Sequence, residues 1–595
     1  MITRRIFLAQ ASAAGVSLCQ SLSASLDPLN GLRKNHPRLV LLDSDLGLIR
    51  GLVREHPLAR KIHSDLAREA DKLMQVPPVE YKLAGNRLMI QNRRVVDRIY
   101  TLSLLYRLHA QPQYLDRALR ELRAMSSFPN WNPQHFLDVA EMAHAFAIGY
   151  DWLYPALTPE EQGTMRATLI EKALDPALPA YAAADSWAFA TSNSNIVCNA
   201  GIGMAALAVA SEEPDLSARI LRSVFASLPR ALASYAPDGA WADGPAHWNF
   251  ATRYLTTLLS ALESALDNDA GLSHVKGLEH TGRFRIYLTG PASKAFNFAD
   301  STDDVGTAPE MFWLARRFDE PVFAWEEQKD ADRATHPDPV DLIWFYKDAR
   351  PPEAENWPLD ALFAGVQVAT MRSAWDDPEA IFLGVKGGDN KAAHTHLDLG
   401  SFVLDAGGVR WAYDPGAEDS DAGNAGKPRL PSFRSRTEAH NTLLIDEENQ
   451  DRRAEGHITH HEFSSDLAWV QIDLRGAYPG KLRQWQRRIG LASRQAILIQ
   501  DTVEADQPID VLWGMMADAD VTVNGQMAEL QKSGWTLSVE IRTPRHAVFE
   551  IITNAAGKKL VARVGPKISS LDLNIILIPY KTGRQKPTIT AQFPV

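Results

Sequence analysis

Two histidines two residues apart, His394 and His396, open the stretch KAAHTHLDLGSFVLDAGGVRWAYDPG, and Asp414 follows His396 by 18 residues. Imidazole exchanges its proton nearest neutral pH and is also the commonest metal ligand. The spacing therefore admits acid–base work, metal binding, or both. Two His and one Asp drawn from separate segments suit Zn²⁺ with a fourth position left for water. Hydrogen-bonded structural histidines are the alternative that spacing leaves open, and two imidazoles argue against calcium. On a strand, residues two apart point to one face. DAGGVRW reads as a tight hairpin about Gly407-Gly408. Pairing across that turn sets Asp414 opposite Ser401, still five residues short of His396, or roughly 16 Å at 3.3 Å per residue. HTHLDLG must curl back if His396 and Asp414 are to meet.

Three further stretches carry candidate chemistry. SFRSRTEAHNTLLID holds Arg434, Arg436, His440 and Asn441. Its arginines suit an acidic or sulfated substrate, although arginines beside a strand of an acidic protein are more often surface ion pairs. WAFATSNSNIVCNAGIGMAALAVA holds Trp187, Asn193, Asn195 and Asn199 ahead of an apolar run. One such asparagine is usually a cap or an Asx-turn. Three within seven residues favour a cleft rim, where neutral amides hold a carboxylate or hydroxyl. YAPDGAWADGPAHWNFATRY carries Asp243, His247, Trp248, Arg253 and Tyr254 after two glycine turns, and positions 247, 250 and 254 share one helical face. A histidine on an aromatic helix is often merely packed, but aromatic platforms with polar edges are also what sugar rings stack on.

The elements that must position these residues change character along the chain. From about 35 to 345 apolar residues recur at helical spacing, as in LDVAEMAHAFAIGYDWLYPAL. Thr158, Pro159 and Glu161 form a capping-box start. Many antiparallel helices with short loops and no fixed-period repeat fit a solenoid or a closed toroid of helical hairpins. Residues 346–363 are rich in proline and charge and read as a linker. From 364 to 595 the segments turn short and β-rich, among them GVQVATMRSA, AIFLGVKGG, RQAILIQDTVE and WTLSVEIRT. That texture predicts an antiparallel β-sandwich.

Composition bounds the rest. At 595 residues, two or more domains are expected. A net charge of −11 gives no global attraction to nucleic acid. No internal run reaches the length of a membrane helix. MITRRIFLAQASAAGVSLCQSLSAS, residues 1–25, reads as an export signal. Thr3-Arg4-Arg5-Ile6-Phe7-Leu8 within it looks like the twin-arginine signature, with an ordinary secretory signal as the alternative, and both predict a bacterial periplasmic protein. Cleavage near its end would leave Cys198 alone, so no intramolecular disulfide is expected.

Taken together and in this order, these blocks resemble the heparinase II/III-type polysaccharide lyases. The resemblance covers most of the chain, through AEMAHAFAIGYDWLYPALTPEE, the Asn-rich helix start, PDGAWADGP, FNFADS, HTHLDLGSFVLDAGGVRWAYDPG and FRSRTEAHNTLLID. It implies an (α/α) toroid followed by an antiparallel β-sandwich, and β-elimination at a uronic acid of an acidic poly- or oligosaccharide. It also implies a structural zinc ion on His396, Asp414 and His440, with His394 in the cleft as an acid–base group. Asn193 or Asn195 would neutralise the uronate carboxylate. The chain departs from the pattern where such lyases carry a Tyr-Trp-x-Tyr run: here stand His247, Trp248, Asn249 and Phe250, and Asp243 replaces a glutamate. His247 is then the expected stand-in for proton transfer, with Tyr254 a more distant candidate. Asn195 is expected to assist, and Trp187, Asn193, Asp243, Trp248, Arg253 and Arg436 to hold substrate. Two other readings stay open: a glycoside hydrolase using Asp243 with Asp300 or Asp238, and a glycan-binding protein without chemistry. A homodimer is compatible with all three.

Overall fold

The computed structural model describes residues 27–304, 306–417, 432–565 and 567–594, and the segment expected to direct export lies outside them. Six helices dominate the first half: α1 (Met89–His109), α2 (Phe136–Leu153), α3 (Asn193–Ala208), α4 (Pro245–Leu266), α5 (Glu310–Phe318) and α6 (Pro339–Trp344). Each packs on the next, and α6 returns to α1, so the chain closes a ring. Closure decides for the toroid over the open solenoid, a choice that helical periodicity alone could not make.

Burial shows why these six line the inside. Every residue of α2 from Asp138 to Leu153 is buried, and α3 is buried throughout from Asn195. A helix apolar all round needs neighbours on every side. Outer helices keep a one-sided stripe instead: Pro214–Ser227 buries Ser217, Ile220, Leu221 and Val224 and leaves its other face wet. The capping box at Thr158 forms as expected, with Thr158 Oγ1 accepting from the Glu161 amide at 3.2 Å. No helix among the described residues is long and apolar enough to cross a membrane.

Strands begin at Ala361–Phe363 and form antiparallel sheets of five, nine and four strands. The five-stranded sheet is a meander of β1 (Ala361–Phe363), β2 (Val368–Arg372), β3 (Phe382–Lys386), β4 (Phe402–Ala406) and β5 (Val409–Ala412). Gly407 and Gly408 join β4 to β5 with φ of 61° and 73°, the two positive values a tight hairpin turn demands. The register corrects the expected pairing. Ala406 faces Val409 and Asp405 faces Arg410, but Leu404 faces Ala412, so a bulge at Trp411 advances the second strand by one. Asp414 leaves the ladder past Ala412.

The two halves are fastened to each other. The toroid core continues into the sheet through Phe363, Val368, Trp375, Phe382 and Val403. Arg410 pairs with Asp405 inside the sandwich and donates to the carbonyls of Lys294 and Ala295, each at 3.0 Å. Within the expected linker, Trp357 is buried and stacks on Tyr287 of the helical half, the planes 3° apart. The segment is packed against both halves.

Candidate active site

The amino-terminal ends of the ring helices converge on one cleft of about 670 Å³. Its walls are Arg93 of α1, Leu137 and Glu141 of α2, Ser192–Ser194 at the start of α3, His247 to Arg253 of α4, Glu310 of α5 and Asp338 before α6. A larger hollow of about 970 Å³ lies at the other ends of α4, α5 and α6, lined by Ser260, Glu263, Trp313, Arg316 and Leu342 among others. Helix ends at the first cleft favour an anion, although Glu141, Glu310 and Asp338 line it beside Arg93 and Arg253. Helix N-termini present unsatisfied N–H groups and a partial positive charge, and C-termini the reverse. Arg93 adds a full charge there; it makes no ion pair among the described residues and sits 5.6 Å over the Phe250 ring.

One loop of the toroid reaches across to the sandwich and carries Asp300. Its Oδ2 accepts from His394 Nδ1 at 3.1 Å and its Oδ1 from His396 Nε2 at 3.1 Å, while its amide donates to the His394 carbonyl at 3.1 Å. The same loop packs on the start of α4. A Cβ on Gly244, which has φ of 88°, would sit 2.4 Å from the Phe298 carbonyl, so only glycine lets the two backbones meet. Ser301 Oγ then accepts from the Ala246 amide at 3.2 Å. His247, one residue on, is brought against His394: the rings stack with centroids 4.1 Å apart and planes 23° apart.

His247 is a neutral imidazole. Its Nδ1 donates to the Asp243 carbonyl at 3.1 Å, which fixes the tautomer and leaves the Nε2 lone pair available. Burial, helped by His394 beside it, holds the imidazole down to about 4. Asp243 itself is buried behind the helix start, and burial raises its carboxyl to about 6.

The HTHLDLG segment is a loop rather than the strand expected of it, and β4 starts only at Phe402. His394 takes a left-handed conformation, φ 58°, which turns the chain back on itself. The curl brings His396 to Asp414 and His440. One ligand atom from each of the three lies within 4.8 Å of the others, and all three side chains are buried. His440 Nδ1 donates to Asp414 Oδ2 at 3.0 Å, as His396 Nε2 does to Asp300. The ring nitrogens left over, His440 Nε2 and His396 Nδ1, have no hydrogen-bond partner among the described residues. Two buried imidazole lone pairs with their other N–H bonded to carboxylates are the donor set of a metal-ligating pair. Burial opposes ionisation of Asp414, but His440 and His396 outweigh it and hold the carboxyl below its ordinary range. The residues therefore fit a zinc ion.

Several expected contacts are corrected. Asn195 is wholly buried: its amide donates to the Ala188 carbonyl and to Ser227 Oγ, each at 3.0 Å, and its Oδ1 accepts from Asn199. It braces the wall behind the cleft, whereas Asn193 lines it. Asn195→Ala is accordingly expected to lower stability by about 2 kcal/mol, seen in chemical denaturation, with kcat/KM retained in the folded fraction. Trp248 is also buried, its Nε1 donating to Thr281 at 2.7 Å. Tyr254 lies below the cleft floor and donates to Glu141 at 3.1 Å, with burial raising its hydroxyl far above the ordinary range. Trp187 packs on Phe136 and Tyr181 rather than lining the cleft. Arg436 pairs with Glu438 at 3.5 Å, the surface ion pair that was its alternative. Asp238 is engaged at the domain junction by the Gly365 amide at 3.0 Å, and both Asp300 oxygens are held by histidines. Arg93, Glu141 and Glu310 went unnoticed in sequence. The signal that could have found them is charge near the amino-terminal ends of the ring helices.

Residues 363–592 match the family model described as Heparinase II/III-like, C-terminal. Among solved structures, a heparan sulfate lyase HepC mutant from Pedobacter heparinus superposes with a TM-score of 0.61 at 15% identity, covering 92% of this chain and 93% of that one. A crystal structure of heparinase III gives a TM-score of 0.61 at 13% identity over 81% and 76% of the two chains. None of the curated proteins matches in sequence. At these identities the structural likeness speaks for the fold, and the family model speaks for the sandwich. Residues 363–592 thus form a heparinase II/III-like C-terminal domain, and the chain as a whole has the fold of the solved heparan sulfate lyase and heparinase III.

Proposed function

We propose that the protein is an exported polysaccharide lyase that cleaves a uronate-containing glycan by β-elimination. The observation that carries this is the stacked pair of His247 and His394 in a cleft ringed by helix N-termini. The family match of the sandwich and the solved heparan sulfate lyase of the same fold support it.

The uronate carboxylate sits against Arg93, Asn193 and the first turns of α2 to α4, where cationic charge and N–H groups are in place before the reaction. Such preorganised donors lower the energy of the carbanion that forms at C5. His247 Nε2 takes the C5 proton, the electron pair forms the C4–C5 double bond, and the C4–O4 bond breaks. His394, steadied through Nδ1 by Asp300, delivers the proton to the leaving O4. Histidine thus does the work for which related enzymes use tyrosine, and the two stacked rings lie close enough for both edges to reach one sugar. A zinc ion on His396, Asp414 and His440 would cross-link the 394–398 loop to the end of β5 and to the turn before His440. Arg253, paired with Asp338, borders the far wall and holds neutral parts of the sugar.

The test is the product. Uronate poly- and oligosaccharides are incubated with the protein while near-ultraviolet absorbance and new reducing ends are followed in the same tubes. Both should rise together, since elimination leaves a conjugated double bond. Reducing ends without absorbance would mean hydrolysis and overturn the reading.

A further inference from the structure

Away from the cleft, a cavity of about 170 Å³ opens where the outer helix Pro321–Arg333 meets the sandwich. Residues 289–293 of the toroid and the turn after β2 close its other sides. Glu326 lines it. That side chain is 3% exposed and has neither a hydrogen-bond nor an ion-pair partner among the described residues. Its two carboxyl oxygens are not sealed from solvent, so the small area left open faces the cavity. Burial, with Asp330 close by, raises the carboxyl above its ordinary value. A buried acceptor left without a donor costs stability, and a ligand that supplies protons would recover it.

The neighbouring groups narrow that ligand. Trp325 is half-buried, and Lys329, one turn on, holds its ammonium 3.9 Å from the centre of the indole ring. Arg333 is spent on Asp330 at 2.8 Å and on Ser293. Arg372 donates to the Tyr287 carbonyl at 2.9 Å and lies 3.8 Å from the Trp375 ring centre. Lys329 thus keeps N–H groups to give, while three carboxylates face the cavity: Glu326 and, at the rim, the exposed Asp376 and Asp377. Such a set of acceptors suits a ligand rich in hydroxyl protons. A carboxylate or sulfate would meet three like charges, and an ammonium would meet Lys329.

We infer that this cavity is a second sugar site, outside the cleft, which takes a single neutral pyranose against the Trp325 indole with its hydroxyls on Glu326 and Lys329. At about 170 Å³, well below the roughly 300–1,000 Å³ of pockets for larger ligands, it admits one ring rather than a chain. The choice of a sugar among hydroxyl-rich ligands rests on the glycan reading above. The site would tether a neutral residue of a long glycan to the outside of the ring while another part of the same polymer is cut.

The experiment uses the whole protein labelled with fluorotryptophan, in which the fluorine resonance of Trp325 is identified by its loss in Trp325→Phe. Methyl glycosides of glucose, galactose, mannose and N-acetylglucosamine are titrated in, with glucuronate and tetramethylammonium as charged probes. At least one neutral glycoside should move the Trp325 resonance saturably, with a Kd in the millimolar range. Glu326→Gln, shown to be folded by its melting curve, should raise that Kd about tenfold through loss of a hydrogen bond to a charged group. Glu326→Asp, which draws the same carboxylate back by one methylene, repeats the comparison if Glu326→Gln does not fold. No saturable shift with any of the four glycosides overturns the assignment. So does a shift as strong with glucuronate or tetramethylammonium, which would make this a charge site, and so does an unchanged Kd in the Glu326 variant. The readout is binding at Trp325, so a cleft that performs no elimination leaves it unaffected.

Discussion

His247→Gln should lower kcat/KM by about 10³-fold, the middle of the range for a positioned proton-transfer group, and leave the melting temperature close to that of the wild type. His394→Ala should abolish turnover with folding intact. The pH profile separates a catalytic role for His247 from a packing one. An imidazole held near 4 is protonated only below that pH, so its base form is already present at pH 5. The acid limb of kcat/KM in the wild type is expected near pH 4, where a solvent-exposed histidine would give a limb near 6.5. Replacing Asp243 should move little, because the backbone carbonyl, not the carboxyl, holds the His247 tautomer. A wild-type acid limb at 6.5, or full activity in His247→Gln, would remove His247 from the mechanism.

The second large effect concerns the buried triad. Purified protein is expected to carry one zinc per chain by elemental analysis. A ligand that binds only the folded state stabilises by about 4 kcal/mol when present at a thousand times its Kd. Chelation should therefore lower the melting temperature by several degrees and zinc should restore it. His440→Ala should abolish the response to chelator and destabilise the apo protein as well, by about 3–5 kcal/mol, because it leaves Asp414 buried without its partner. A chain that holds no metal and melts identically with and without chelator would mean that the His–Asp bonds alone knit the loop.

Much of the architecture was legible in the residues because it rests on periodicity. The switch from helical spacing to short β-rich segments falls where Trp344 ends the last ring helix and Ala361 begins the first strand. Closure of the ring was not legible, since it depends on α6 meeting α1 across more than two hundred residues of chain. Within the site, spacing misled where helical rotation was overlooked. Asn195 follows Asn193 by two residues, about 200° around the helix, so one faces the cleft and the other the core. Tyr254 shares the His247 face but stands seven residues on, about 10 Å down the axis, which places it beneath the floor. His396 and Asp414 meet only because His394 adopts a left-handed turn, and a loop conformation of that kind has no periodic signature.

His247 belongs to the ring and His394 to the sandwich, and one loop from the toroid, carrying Asp300, clasps the second against the first. The stacked pair is thus completed only where the two parts meet. Neither half made alone contains both groups, so on the proposed mechanism a chain is inert until the two surfaces seat. The lyase activity proposed for this cleft would then appear only at the last step of maturation.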